Sequence, residues 1–353
     1  MLKILMCGNH PSNKGGMTSV INQVLVRDWK KEDIELTFVP TYLPGGKVKT
    51  ILYFAIRYLK VFFLLLFKKP DVFYTHMSVR GSFSRTKALH GLCKRLGVPD
   101  VIHLHGSEFK DWYESETDKK KKKIRTLIEE CSTFIVLGQQ WEKYVSRIAP
   151  KANIVQIHNC IDIPRGVVSW GDKTAFLFLG VFIPRKGVID LLRAVKLLAD
   201  RGQLDNCEFR LGGSGVEENT LKEYVRKNGL DKYVHFLGWV TGEKKIKAIS
   251  NSNVFILPSY NEGLPISVLE AMSYGMPVIS TRVGDIEDAV IEGENGFLIN
   301  PGDVESLAER IVWMKDKQRW DRLSNGARSI AETRFDIMRF YERLSEVWKE
   351  AAK

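Results

Sequence analysis

Short β-branched or apolar runs alternate with longer amphipathic stretches along nearly the whole chain, and this alternation restricts the fold more than any other feature. In the first half, runs near 2–7, 34–39, 71–75, 100–104, 133–137 and 154–157 read as strands. Helical patterns near 17–29, 48–68, 84–96, 119–130 and 139–147 lie between them. In the second half, strands fall near 175–180, 207–211, 233–237, 253–257, 277–280 and 296–299. Their helices fall near 187–200, 217–228, 243–250, 265–274, 285–291 and 303–317, and about 319–352 is helical with no strand. Strands separated by helices of this length pair in parallel, with helices covering both faces of the sheet. A chain of 353 residues is too long for one ordinary core. The alternation stalls between His158 and Lys173, where Pro164, Gly166, Ser169 and Gly171 form a linker. The reading is therefore α/β, with two doubly wound domains at 1–165 and 166–335 and a terminal helical segment at 336–353.

Composition narrows the class. Hydrophobic residues make up 44% and charged residues 27%, which suits a globular chain rather than a disordered one. Cys7, Cys93, Cys131, Cys160 and Cys207 form no CxxC and no zinc-type spacing, so they read as reduced thiols of a cytoplasmic protein. The longest apolar stretch, Ile51 to Phe67, is interrupted by Arg57 and Lys60, which argues against a spanning segment. The net charge of +11 is unevenly placed. Up to Arg165 there are 27 Lys and Arg against 15 Asp and Glu; the remainder has 26 against 27. Between Leu36 and Pro99 the only acidic residue is Asp71, against eleven basic ones. The first half therefore calls for an anionic partner. Nucleic acid is not that partner, because no helix-turn-helix or aromatic RNA-binding signature is present.

Ligands of open parallel sheets bind at the carboxyl ends of the strands, so function is sought in the strand-to-helix loops. Gly8 to Gly16 follows the first strand, and its Gly15 and Gly16 allow close approach of backbone amides at a helix start. It is neither GxGxxG nor a P-loop. Gly180 to Gly187 sets Arg185 and Lys186 at a helix start, a chemistry suited to a diphosphate. Gly212-Gly213-Ser214-Gly215 ends the next strand and is expected to bring backbone near a ligand. Pro258-Ser259-Tyr260-Asn261-Glu262-Gly263-Leu264-Pro265 leads into a helix carrying Glu270, with Pro265 expected as a first-turn proline. Two acids flanking a helix start repel a bare phosphate and suit sugar or ribose hydroxyls instead. Asp285-Ile286-Glu287-Asp288 reads as a helix cap with dipole-favouring acids rather than a metal site. His103 and His105 share a strand face next to Gly106, with no third ligand evident beside them.

Taken together, these residues resemble glycosyltransferase family four, retaining enzymes of the GT-B fold that assemble bacterial surface polysaccharides. The strongest part is Glu262 to Glu270, a pair of glutamates with seven residues between them, inside Phe255 to Ser259, Glu262 to Pro265 and Ala271 to Ile279. Arg185-Lys186-Gly187, Gly212 to Gly215, Phe236 to Trp239 and Asn159 to Asp162 follow the family order. Before residue 150 the likeness is looser, resting on Lys14-Gly15-Gly16 and His105-Gly106. The resemblance implies two Rossmann-like domains facing across a cleft, with the last helix crossing back to the first domain. It implies a metal-independent hexosyl transfer from a nucleotide diphosphate sugar, with no cofactor. A UDP-sugar is the preferred donor and a GDP-sugar the alternative. Arg185 and Lys186 would hold the diphosphate, Glu262 the sugar hydroxyls and Glu270 the ribose. His105 would lie over the donor sugar, while Gly15, Gly16, Gly213, Ser259, Gly263, Leu264 and Pro265 would line the donor. Val181 stands where the family often has arginine, while Cys160 and Asp285 stand where it has glycine. Val181 and Asp285 leave a catalytically weak nucleotide-sugar-binding scaffold as an alternative, and a nucleotide-sugar epimerase of the same fold is another.

The acceptor is expected to be a glycan, or an oligosaccharide on a polyprenyl diphosphate. Thr75 to Arg85 resembles transferases of that kind and offers His76, Arg80, Ser82 and Arg85 as acceptor contacts. The stretch from Lys47 to Lys69 interleaves cations with six aromatic residues. Two readings of it stand side by side. One is an interfacial helix on the anionic inner face of the cytoplasmic membrane; the other is a core helix with snorkelling ends.

Overall fold

The computed structural model describes residues 1–13 and 15–353; Lys14, in the first glycine loop, lies outside the described residues. The chain packs as two compact units, Met1–Asn159 with Met338–Lys353, and Cys160–Ile337.

In the first unit the strands are β1 (Leu2–Asn9), β2 (Ile34–Tyr42), β3 (Val72–Met77), β4 (Asp100–Leu104), β5 (Thr133–Val136) and β6 (Ile154–Gln156). Its helices are α1 (Gly16–Val26), α2 (Lys47–Lys68), α3 (Gly81–Leu96), α4 (Phe109–Ser115), α5 (Asp118–Glu130) and α6 (Gln139–Ile148). All strands are parallel, in the order β2-β1-β3-β4-β5-β6. The central strands β3 and β4 are buried along their whole length, which is why they read as apolar runs rather than alternating ones.

The second unit repeats the plan with β7 (Thr174–Leu179), β8 (Cys207–Gly212), β9 (Val234–Gly238), β10 (Val254–Leu257), β11 (Val278–Thr281) and β12 (Gly296–Ile299). Between and after them lie α7 (Val188–Asp200), α8 (Glu218–Lys227), α9 (Gly242–Ser250), α10 (Ile266–Ser273), α11 (Ile286–Ala289), α12 (Val304–Trp313) and α13 (Lys317–Arg334). This sheet is also parallel, in the order β12-β11-β10-β7-β8-β9. Asp303 and Asp316 start α12 and α13 by accepting the backbone N–H of Ser306 (3.0 Å) and of Arg319 (2.9 Å).

The final helix, α14 (Ile337–Ala351), packs into the first unit. Its Trp348 is fully buried between Trp29 and Tyr74, with ring centroids 4.8 and 5.3 Å away. The Tyr341 hydroxyl donates to the carbonyl of Gln23 at 2.8 Å.

Three expectations need correction. The helical stretch about 319–352 is two helices, because Ile161 hydrogen-bonds on either side of Asp336, accepting from the N–H of Ile337 and donating to Phe335 O. A strand-like bridge at that point interrupts the helical ladder. The short α4 was missed: seven residues are too few to show a period, although Phe109 and Trp112 anchor it in the core. Finally, α2 is not a core helix. Among its 22 residues only Val61 and Leu65 are buried, packing with Leu5, Cys7, Val39 and Phe73.

Candidate active site

In the second sheet, α7 leads from β7 towards β8 on one side, while the chain returns to place β10 on the other side of β7. The loops after β7 and β10 therefore diverge and leave a crevice at their carboxyl ends, the topological switch point of an open α/β sheet. The loop after β7 contains Arg185 and Lys186; the loop after β10 contains Ser259 and Glu262. Residues 76 positions apart in sequence meet there because of strand order alone.

The meeting is tight. Pro184–Lys186 forms one 3₁₀ turn, closed by Gly187 in the left-handed region at φ 66°. A Cβ at Gly187 would stand 2.0 Å from the carbonyl oxygen of Pro258, so the two loops approach more closely than any side chain allows. The N–H of Tyr260 donates to the Arg185 carbonyl at 2.7 Å, and the Tyr260 hydroxyl donates to Asp190 at 2.9 Å. Across this clamp the Lys186 ammonium donates to Glu262 Oε1 at 2.5 Å. Ser259 donates to the same oxygen at 2.7 Å. Arg185 lies 3.8 Å from Glu262 Oε2 and donates to the carbonyl of Asn261 at 2.9 Å. Glu262 is only 7% exposed, and Ser259 is fully buried. The loop after β11 braces this carboxylate from behind. There, Gly284 (φ 56°) would place a Cβ 2.1 Å from the Glu262 carbonyl, and Asp285 donates its N–H to the carbonyl of Gly263.

Arg185 and Lys186 bring two positive charges, and Glu262 offsets one of them. The crevice thus carries net positive charge held by hydrogen bonds rather than by floppy side chains. Such preorganised cations suit a ligand that is anionic and becomes more so as a bond breaks.

Other expected residues are placed differently from the sequence reading. Pro265 is the N-cap of α10 rather than its first-turn residue: its backbone is extended (ψ 124°), and its carbonyl accepts from Val268 and Leu269. Leu264 is buried beside it, and Gly263 is held by Asp285. Glu270 lies in the second turn of α10, where it forms an ion pair with Lys245 of α9, a partner no local spacing foreshadowed. Gly213 and Gly215 serve the protein's own backbone. A Cβ on Gly213 would stand 1.9 Å from Gly180 O, and one on Gly215 would stand 2.3 Å from Phe182 O. Asp285 occupies the N-cap position of α11, yet its side chain makes no capping hydrogen bond there. Val181 is 38% exposed and contributes no polar group.

In the first unit, β3 pairs with β4 so that His76 stands opposite His103. With side chains alternating along each strand, Tyr74, His76, His103 and His105 share one face. The third histidine that the sequence reading did not find beside His103 and His105 therefore comes from the neighbouring strand. The ligand nitrogens of the three lie within 4.8 Å of one another. They bond in two separate pairs: His76 Nδ1 meets His105 Nε2 at 2.8 Å, and Tyr74 meets His103 Nδ1 at 2.8 Å. Three imidazoles at this spacing have the chemistry of a metal site: His76 Nδ1, His105 Nε2 and His103 Nδ1 are engaged as described, while His76 Nε2 and His103 Nε2 are buried with no hydrogen-bond partner. Burial holds His76 and His103 well below the ordinary imidazole range, with neighbouring imidazoles adding to the effect, and lowers His105 to about 3. The cluster is neutral and donates or accepts hydrogen bonds without charge.

Neutral burial couples folding to acid. Below pH 6.5 the unfolded chain takes up protons that folded His76 and His103 refuse, so stability falls as pH drops from there towards their lowered values. Each contributes a slope of up to about 1.4 kcal/mol per pH unit. His90 opposes them by one group. Against the pull of its own burial, hydrogen bonds and charge from Asp100 and Glu130 raise it above its ordinary value. The urea midpoint is expected to fall steeply between pH 6.5 and 5, and His103→Gln should flatten that fall. An unchanged slope in the variant would contradict neutral burial of His103.

The remaining expected residues flank this cluster. Arg80 caps α3 with φ 51° and pairs with Glu108 at 3.1 Å. Ser82 accepts from the N–H of Ser78 at 3.0 Å. Arg85 lies 4.5 Å over the ring of Tyr42. In this sheet the chain leaves β1 and β3 in opposite directions, so the loops after them flank its switch point. Gly15, the N-cap of α1 at φ 129°, and Gly16 follow β1; Arg80 and Ser82 follow β3.

Residues 23–165 match the family model described as Glycosyltransferase Family 4, and residues 162–330 match that described as Glycosyl transferases group 1. The chain belongs to glycosyltransferase family 4. The transferase is 25% identical to a UDP-Gal:alpha-D-GlcNAc-diphosphoundecaprenol alpha-1,3-galactosyltransferase of Escherichia coli, over 91% of this chain and 85% of that one. Its GT-B fold superposes on sucrose-phosphate synthase of Thermosynechococcus elongatus with a TM-score of 0.82 at 18% identity, covering 99% of both chains. HepE of Anabaena, solved in complex with UDP, gives 0.78 at 19% identity, covering 99% of this chain and all of that one.

Proposed function

We propose that this transferase moves a hexose from a UDP-sugar to a glycan carried on a polyprenyl diphosphate, with retention at the anomeric carbon and without a metal ion. The observation that carries the proposal is the Arg185–Lys186–Glu262–Ser259 constellation at the β7/β10 switch point. A sugar diphosphate in that crevice would meet two fixed cations at the oxygens that gain charge. As the bond from the anomeric carbon to the phosphate oxygen breaks, that oxygen takes the electron pair. The acceptor hydroxyl attacks from the same face, forms the new C–O bond and passes its proton to the departing phosphate. No carboxylate has to act as nucleophile; Glu262 Oε1 is engaged by Lys186 and Ser259, and its Oε2 faces Arg185 at 3.8 Å. Two relatives support the choice of substrates: the Escherichia coli galactosyltransferase is named for UDP-Gal and a diphosphoundecaprenol acceptor, and HepE was solved with UDP. In the first unit, the exposed Arg80 after β3 offers charge to such an acceptor, whereas His76 is only 3% exposed and meets His105 instead.

The reading is tested by following nucleotide diphosphate release over a panel of UDP- and GDP-sugars with detergent-solubilised lipid-linked acceptors, with and without EDTA. Release from a UDP-sugar that depends on acceptor and is indifferent to EDTA is expected. Release only from GDP-sugars would overturn the donor assignment, and loss with EDTA would overturn metal independence.

A further inference from the structure

Helix α2 is long and apolar enough, by length and composition, to cross a membrane, yet one face of it is attached to the sheet of the first unit, where Phe54, Tyr58, Phe62 and Leu64 pack partly buried. Val61 and Leu65 lie on that face. On the opposite side Val48, Leu52, Ile56, Leu59, Phe63 and Phe67 recur every three or four residues and form one stripe open to solvent. Val48 is 77% exposed, Ile56 61% and Phe67 72%. Scattered surface leucines are ordinary; an unbroken apolar stripe along six turns is not.

The charge around the stripe states what covers it. Lys47, Lys49, Lys60, Lys68 and Lys69 are all exposed, and no acidic residue occurs from Leu36 to Pro70. Viewed down the axis, Lys49 and Lys60 fall along one edge of the apolar stripe, between it and the face packed on the sheet. An apolar strip edged by cations matches the boundary of an anionic bilayer, with acyl chains beneath the strip and headgroup phosphates beside the lysines. A spanning arrangement fits poorly. Arg57 and Lys60 stand near the middle of the helix, and Val61 and Leu65 bind it to the protein core rather than to lipid. A second copy of this chain fits poorly too, because no acidic residue occurs from Leu36 to Pro70 to meet the lysines of the other helix.

We infer that α2 is an interfacial anchor that lies in the headgroup region of an anionic membrane, holding the first unit against the lipid surface. This inference rests on exposure and charge, not on the transfer chemistry, and it is tested without turnover. The full chain is sedimented with sucrose-loaded vesicles of phosphatidylcholine alone, or of phosphatidylcholine with about 30 mol% phosphatidylglycerol. Binding to the anionic vesicles and little to the neutral ones is expected. Lys49→Gln with Lys60→Gln should weaken that binding about 25-fold, at about fivefold per cation. Ile56→Ser with Phe63→Ser should abolish it. All four side chains are exposed, so an unchanged melting temperature is the control for folding. Equal binding to both vesicle types, or variants that bind as the parent does, would overturn the inference. So would a concentration-dependent dimer lost in the Ile56→Ser, Phe63→Ser variant without any vesicle binding, which would assign the stripe to a second copy.

Discussion

Lys186→Met is expected to lower kcat by about 10²–10³ while leaving the fold intact. The methionine keeps the length and apolar stem of the side chain and removes only the charge. Losing one preorganised donor to a developing anion costs about 3–4 kcal/mol in activation free energy. The variant also strips Glu262 of its 2.5 Å partner, leaving a nearly buried carboxylate with Ser259 and a guanidinium 3.8 Å away. That loss destabilises the protein by about 1–3 kcal/mol and must be separated from the rate effect by a melting curve. A double-mutant cycle with Glu262→Gln then assigns the glutamate. If Glu262 acts only by holding Lys186, the double variant will be no slower than Lys186→Met alone. If it also contacts the donor sugar, the double variant will be slower again. A Lys186→Met enzyme with parental kcat would remove the basis for placing the diphosphate in this crevice.

The second large effect is structural. Gly187→Ala is expected to destabilise the protein by about 3–5 kcal/mol and lower the melting temperature by roughly 10 °C. Two costs combine at this residue. Its φ of 66° is strained for any residue with a side chain, and the added methyl would overlap the carbonyl of Pro258 at 2.0 Å. A backbone carbonyl at the end of β10 cannot rotate aside as a side chain does. The loop carrying Ser259 and Glu262 must move instead, so activity should fall together with stability. Gly202→Ala is the matched control, since Gly202 also has φ 64° but nothing within 4 Å of the added carbon. A melting temperature for Gly187→Ala equal to that of Gly202→Ala would show that the close approach is not rigid.

The strands were legible because parallel strands buried on both faces leave apolar runs that survive any change of neighbours. Val254–Leu257 and Val278–Thr281 are such runs, and each ends in a loop whose glycines and charges mark the crevice. The Lys186–Glu262 contact was legible only as two separate signals, since strand order is what joins positions 76 apart. The histidine cluster was half legible: His103 and His105 show the period of two, but His76 joins them through a pairing register that the sequence does not display. Lys245 beside Glu270 carried no signal at all. Openness to a ligand and closeness to the protein's own backbone call for the same residue, and at Gly213 and Gly215 the structure shows the second demand. Composition also left the role of α2 undecided, because a buried helix and an interfacial one can share the same residues and differ only in which face is packed.

The return of α14 to the first unit has a consequence for how the molecule is made. Trp29 and Tyr74 leave the ribosome early, but their cover, Trp348, is synthesised only after the whole of the second unit. At ordinary elongation rates that interval is on the order of 15–60 s. During it the nascent first sheet carries an uncovered aromatic patch, while the contiguous stretch Cys160–Ile337 has everything it needs to fold at once. The unit begun first is therefore the unit finished last, and a nascent chain stalled just short of Trp348 holds a completed second sheet beside an unsealed first one.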